Sequence, residues 1–314
     1  MVSLPKMTMP ALLARGDRVA VIAPSGPALP DRIDRGLTWL RSVGLDPVES
    51  ASLRENGGHG LPFLAGTDSQ RASDLVDAWF DPEVAAILCV RGGDGTPRYV
   101  DDLPWDRMAE AGSKIVAGLS DITALHQTLG RRLGVASLWA PMPGTSVIAG
   151  TGDHSGDEWS KRGLANALMK QPDEEILHLQ GAASQPGEVT APLVGGTVSL
   201  LAAMAGTESF LPADGAIAIL EDVDEHPYRI ERFLTQLRRS GFFDGAVGIA
   251  CGDFIRCGDP QVLRRVLDDR LGDLGIPVVH DLPFGHGERQ ASLWLGRPAR
   301  IDGEQGTLTQ QLPA

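Results

Sequence analysis

Strand-length apolar runs alternate with longer amphipathic stretches through the first half of the chain, and this alternation restricts the fold more than any other feature. Residues 17–27, "DRVAVIAPSGP", are β-branched and apolar up to a Pro-Ser-Gly-Pro stop, the mark of a buried parallel strand and its turn. "DRIDRGLTWLRSVG" then places Ile33, Leu37, Leu40 and Val43 at helical spacing, with Gly44 suited to close the helix. The pattern repeats as helix "DSQRASDLVDAWFDP", strand "EVAAILCV", glycine loop "RGGDGTP", strand "SKIVAG", helix "DITALHQTLGRRLG" and strand "VASLWAP". Strands separated by helices pair in parallel, so an α/β domain with helices on both faces of a parallel sheet is predicted.

From about Ala149 to Gly187 the alternation weakens. "GTGDHSGDEWSKRG" is polar and glycine-rich and precedes one helix predicted near residues 164–170. This reads as a linker over 151–187, between an N-terminal domain at 1–150 and a C-terminal domain at 188–314. The second domain resumes with "GGTVSLLAAMAG", "GAIAILEDV", "YRIERFLTQLRRSGFF" and "AVGIACGDF". It closes with "QASLWLGRPARIDGEQGTLTQQL", which alternates like antiparallel strands around turns.

The charge balance narrows the partners. A net charge of −13 repels nucleic acid and anionic membrane, so neither is expected. Cys89, Cys251 and Cys257 have no zinc-ligand spacing and are read as small hydrophobes in a reducing compartment. "MVSLPKMTMPALLARGD" lacks a continuous apolar stretch and is a poor signal peptide, and no segment reaches the ~18 apolar residues that span a bilayer. A cytoplasmic protein is expected.

Four places carry chemistry. Strand "KIVAG" runs into Leu119-Ser120-Asp121 and a helix, the setting of a nucleophile elbow, whose hydroxyl stands at the C-terminal end of a parallel strand beside a helix N-terminus. Ile122 stands where the second glycine of G-x-S-x-G belongs, and taken alone these residues read first as an ordinary helix cap by Ser120 or Asp121. Glu221 ends the apolar strand "AIAILE", where a carboxylate either borders a cleft or is solvated in a loop. His286 sits between two glycines in "FGHGE", an exposed imidazole or a surface turn. Arg91-Gly92-Gly93 after a strand allows close backbone approach to a ligand, and no phosphate-loop or dinucleotide motif occurs.

Taken in order, "GDRVAVIAPSGP", "FLAGTDSQRASDLVDAWFDPEVAAILCVRGGDG", "GLSDITALH", "LVGGTVSLLAAMAGT", "LEDVDEHPYRIERFLTQL" and "LPFGHGERQASLWLG" resemble the serine LD-carboxypeptidases, the group that also contains the microcin C immunity peptidase. The resemblance runs along nearly the whole chain. It implies a Rossmann-like N-terminal domain, a smaller β-rich α/β C-terminal domain and a cleft between them. It implies Ser120 as nucleophile, His286 as base, Glu221 as the carboxylate behind it, and an oxyanion hole from the N–H groups of Gly93 and Asp121. It also implies a metal-free and cofactor-free cytoplasmic homodimer that releases terminal D-alanine from a peptidoglycan tetrapeptide. Ser25 and Gly26, or Arg91, are candidates for the substrate carboxylate.

The family reads R-G-G-Y-G, G-Y-S-D, H-G-P and G-G-N where this chain has Asp94, Leu119, Trp139-Ala140-Pro141 and Thr197. These departures are expected to change the cleft lining, with Asp94 favouring a cationic substrate. They keep other readings open: a hydrolase for another acyl-amide such as an aminoacyl-nucleotide antibiotic, an acyltransferase, and a non-catalytic binding protein.

Overall fold

The computed structural model of the protein describes residues 4–169 and 176–312. The first half forms β1 (Arg18–Ile22), α1 (Pro30–Ser42), β2 (Asp46–Glu49), α2 (Asp68–Phe80), β3 (Val84–Cys89), α3 (Trp105–Glu110), β4 (Ile115–Gly118), α4 (Thr123–Thr128), β5 (Ser137–Trp139) and the short α5 (Ser146–Ala149). Local chemistry sets the boundaries. Pro30 opens α1, where a missing N–H costs nothing, and the helix buries Ile33, Leu37 and Leu40. A reciprocal Thr67–Gln70 capping box opens α2.

These strands build a six-stranded sheet in the order β12-β5-β4-β3-β1-β2. β1 to β5 are parallel, as the alternation predicts. β1 is flanked by β2 on one side and β3 on the other, so the loops after β1 and β3 part at the sheet's topological switch, where open α/β sheets place ligands. The sixth member, β12 (Leu293–Leu295), comes from the far end of the chain and pairs antiparallel with β5.

The second half continues with α6 (Glu158–Leu168), β6 (Ile176–Gln180), β7 (Ala182–Gln185), β8 (Glu188–Thr197), α7 (Val198–Met204), β9 (Ile217–Val223), α8 (Pro227–Arg239), β10 (Gly248–Ile255), α9 (Pro260–Leu271) and β11 (Val278–His280), then β13 (Pro298–Asp302) and β14 (Thr307–Gln311) beyond β12. Its eight-stranded sheet runs β6-β14-β13-β8-β9-β10-β11-β7. The centre, β8 to β11, is parallel, and both flanks are antiparallel. One apolar cluster runs from Ile22 and Val116 in the first sheet to Ile217 and Ile301 in the second, so the lobes share a core.

The described residues of the stretch predicted as a linker, 151–169 and 176–187, are folded. Its helix begins at Glu158, where the Asp157 side chain accepts the Ser160 N–H, and buries Leu164, Ala167 and Leu168 in the first domain. Its strands β6 and β7 are the two edges of the second sheet. An edge strand needs little apolar surface (only Leu179 of β6 is buried), so its sequence reads as polar coil. Residues 1–3, 170–175 and 313–314 of the expected domain spans lie outside the described residues, as does Lys170, the predicted end of the helix. Among the described residues no helix is long and apolar enough to cross a membrane.

Candidate active site

Ser120 sits on an abrupt turn. β4 ends at Gly118, Leu119 is extended, and Ser120 takes a positive φ of 68° before one 3₁₀ turn leads into α4. A left-handed backbone is costly for a residue with a Cβ, so the surrounding structure must impose it. Thr123 Oγ1 donates to Ser120 O at 2.6 Å, closing the turn from within. Gly92 makes room, since a Cβ there would stand 2.7 Å from Ser120 Cβ. The glycine missing at 122 has a steric account too. The Ile122 side chain lies over Gly118, where an added Cβ would meet its Cγ1 at 2.9 Å, so only the first glycine is needed.

Asp121 works beneath this turn. It is fully buried, and its carboxylate accepts the Thr96 N–H at 2.8 Å. Burial pushes the Asp121 carboxyl up, while hydrogen bonds from Ser25 and Thr96 pull it back. Ser25 is 0% exposed with its hydroxyl 2.7 Å from Thr96 Oγ1, and the Gly26 N–H donates to Gly92 O at 3.0 Å. Ser25 and Gly26, predicted as substrate contacts, are instead the platform that carries the Gly92-Gly93 loop.

The second half of the site is a buried carboxylate and a half-buried imidazole. Glu221 is 0% exposed in β9. Its Oε2 accepts from His286 Nδ1 at 2.6 Å and its Oε1 from Thr197 Oγ1 at 2.6 Å. A carboxylate only accepts, so Nδ1 carries a proton, and in the neutral ring Nε2 keeps its lone pair. Gly285, at φ +110°, lets the loop pass over the carboxylate, because a Cβ there would lie 2.6 Å from Glu221 Oε2. Burial works against protonating His286, but the charge and hydrogen bond of Glu221, with Asp222 and Asp224 beyond, hold its pKa above the ordinary imidazole value. Burial and the Glu221 charge push the Asp222 carboxyl up to about 7 and the Asp253 carboxyl up to about 6. Asp222 accepts from the Ser199 N–H at 2.8 Å, pinning the start of α7.

A strut joins the two halves. Thr197 N–H donates to Thr123 Oγ1 at 3.1 Å, so a single threonine pair connects the Ser120 carbonyl to the Glu221 carboxylate.

Ser120 and His286 reach a common cleft of about 670 Å³ from the two lobes. Arg91, Gly93, Asp224 and Arg256 also line it. Gly93 is exposed at φ +116°, and its N–H has no acceptor among the described residues. Arg91 is exposed and donates to Pro27 O at 2.8 Å. Asp94 is exposed but does not line the cleft, and its charge falls on Arg98 and Asp121. Of the family departures only Leu119 lines the cleft. Trp139 is buried against His126, and Thr197 is buried on Glu221. The expectation that Asp94, Trp139 and Thr197 reshape the lining is therefore corrected. Elsewhere, burial lowers His126 to about 4, and the neutral ring bridges Ser137 Oγ and Gly118 O at 2.8 and 2.9 Å, joining β4 to β5.

Sequence reasoning missed the Asp224–Arg256 pair and the role of Thr197. Asp224 and Arg256 both have positive φ, 59° and 54°, a property that "VDEH" and "IRCG" do not announce.

Comparisons with known proteins agree along the chain. Models of the LD-carboxypeptidase N-terminal and C-terminal domains match residues 19–140 and 190–301. A putative carboxypeptidase of Streptomyces coelicolor is 43% identical over 310 residues, 98% of either chain. The murein tetrapeptide carboxypeptidase of Pseudomonas aeruginosa is 31% identical over 295 residues, 92% of this chain and 94% of its own. The crystal structure of muramoyltetrapeptide carboxypeptidase from Oxalobacter formigenes aligns with a TM-score of 0.81 at 28% identity, over 95% of this chain and 99% of that one.

Proposed function

The chain belongs to the LD-carboxypeptidase family, and from that premise we propose that it is a serine carboxypeptidase that cleaves the L,D-amide bond releasing D-alanine from a peptidoglycan tetrapeptide. The observation that carries this reading is the Glu221–His286 pair on the cleft that Ser120 lines. Among the described residues no hydrogen bond joins Ser120 to His286, and such contacts commonly tighten when substrate binds.

In this mechanism His286 Nε2 takes the Ser120 proton as the hydroxyl oxygen attacks the carbonyl carbon. Glu221 keeps the tautomer and stabilises the imidazolium. The tetrahedral oxyanion rests on the N–H groups of Gly93 and Asp121, each worth about 3 kcal/mol. His286 then protonates the leaving D-alanine nitrogen, and water, activated by the same ring, hydrolyses the acyl-enzyme. Arg91 at the cleft wall takes the terminal carboxylate of the substrate. The same reading entails a homodimer acting in the cytoplasm on a small peptide, checked by light scattering and cell fractionation.

The test is D-alanine release from L-Ala-γ-D-Glu-meso-diaminopimelate-D-Ala. Ser120→Ala is expected to lose about 10⁴-fold or more in kcat. A variant that keeps the wild-type rate overturns the nucleophile assignment. Arg91→Ala is expected to raise KM about tenfold with kcat little changed, and an unchanged KM removes Arg91 from the site.

A further inference from the structure

His126 is a buried polar group that the steps above do not use. It stands on α4, one and a half helical turns past Ser120, and does not line the cleft. Its Nε2 lies 2.9 Å from Gly118 O and its Nδ1 lies 2.8 Å from Ser137 Oγ. A carbonyl only accepts, so Nε2 carries a proton. Burial keeps the ring neutral down to about pH 4, so Nδ1 has a bare lone pair and accepts from the Ser137 hydroxyl. One tautomer is therefore fixed at both ends. Filling this space needs no polar group, since an apolar side chain would avoid the cost of burying an imidazole.

The two partners lie at the root of the Ser120 turn. Gly118 is the last residue of β4, and its carbonyl also accepts the Ala140 N–H at 3.1 Å. Ser137 is buried in β5 and paired with Leu295 of β12, so this anchor is inside the sheet. The chain from Gly118 through Ser120 to His126 is thus a closed ring, fastened where Nε2–H meets the strand end. Thr123 closes a smaller ring within it on Ser120 O. The smaller ring holds the turn, and the larger one sets the angle at which α4 leaves β4.

We propose that His126 is a positioning residue: its Nε2–H, held in that tautomer by Ser137, clamps α4 to the end of β4 and so aims the Ser120 hydroxyl and the Asp121 N–H at the substrate carbonyl. This rests on the carboxypeptidase reading and adds a residue outside the Ser120, Glu221 and His286 set. A small rotation of α4 would misdirect both groups together, and misplacement of this kind is costly even when the change lies away from the reacting atoms.

Glutamine and asparagine separate the two contacts. The glutamine amide nitrogen reaches about as far as Nε2 and that of asparagine about as far as Nδ1, so His126→Gln keeps a donor for Gly118 O and His126→Asn reaches only Ser137. For D-alanine release, His126→Asn is expected to lower kcat about 30-fold with KM within about twofold, and His126→Gln to recover kcat to within about threefold of wild type. The acid limb of kcat/KM should stay in place in both, because His126 does not titrate above about pH 4. Circular dichroism melting sets a temperature at which the variants are folded. Ser137→Ala, which keeps the ring and removes what selects its tautomer, is expected to lower kcat about fivefold and decides the matter if His126→Asn does not fold. A wild-type kcat in His126→Asn or in Ser137→Ala, equal losses in the asparagine and glutamine variants, or a change confined to KM or to Tm overturns the inference while the carboxypeptidase reading stands. No release by wild type overturns that reading and this inference together.

Discussion

The two walls of the cleft are made of different materials. On the Ser120 side the backbone does the work: a left-handed serine, a glycine at 92 that admits its Cβ, and a buried aspartate that holds the loop from below. On the His286 side buried charge does the work: a fully buried glutamate behind the imidazole and two further carboxyls raised by burial and by its field. A backbone device depends first on shape, although burial also pushes the Asp121 carboxyl up on this wall. An electrostatic device tolerates shape changes better and answers to protons. Substitutions on the two walls should therefore fail in different ways.

Glu221→Gln should cause the largest loss on the charged wall, about 10⁴-fold in kcat. It should also move the acid limb of the kcat/KM profile to lower pH. Glu221 holds His286 above the ordinary imidazole value, so removing its charge leaves burial dominant and the ring deprotonates at lower pH. A limb that stays in place would separate the His286 titration from Glu221. Gly92→Ala is the counterpart on the other wall. The new Cβ would lie 2.7 Å from that of Ser120, and displacing the proposed nucleophile should cost about 10²-fold in kcat with the acid limb unmoved. A shifted limb would break the comparison, because it would mean that the glycine loop also sets the field.

Thr197→Val tests the strut between the walls. It leaves Glu221 Oε1 without its 2.6 Å donor and is expected to lower kcat about tenfold, with Thr197→Ser restoring most of the rate. The smallest effect belongs to Asp253. Burial raises its carboxyl to about 6 in the folded protein, above its ordinary value of 3.8, so stability present at low pH is lost as pH rises through that window. Asp253→Asn removes this loss. Between about pH 4 and about pH 8 its Tm should gain about 2 °C relative to wild type, after allowing for solvent screening of a half-buried group. A constant difference across that range would show that the carboxyl does not titrate there.

Ser120 and His286 are legible as candidates because they follow β4 and β11, and Glu221 because it lies near the end of β9, all strands with readable apolar runs; strand ends are where such sheets place their ligands. The supporting parts were not. Gly26 and Gly92 each announce a close approach, but a glycine does not say what approaches it, and here the two loops meet each other. The left-handed backbone of Arg256 leaves no mark in its residue type. The edge strands at 176–185 carry the periodicity of coil, and the pairing of β12 with β5 depends on residues more than 150 positions apart in the chain.

That last pairing reaches beyond the cleft. β12 leaves the second lobe to close the first lobe's sheet, and the chain then returns to the second lobe for its last two strands. Lobes joined by one exposed tether can be exchanged between proteins as cassettes. Here any cut before β12 strips a strand from its neighbour and opens the edge of β5. The lobes are sewn together, so recombination has no clean seam to use. New specificities must arise by point changes at the cleft rim, where Asp224, Arg256 and Arg91 already stand.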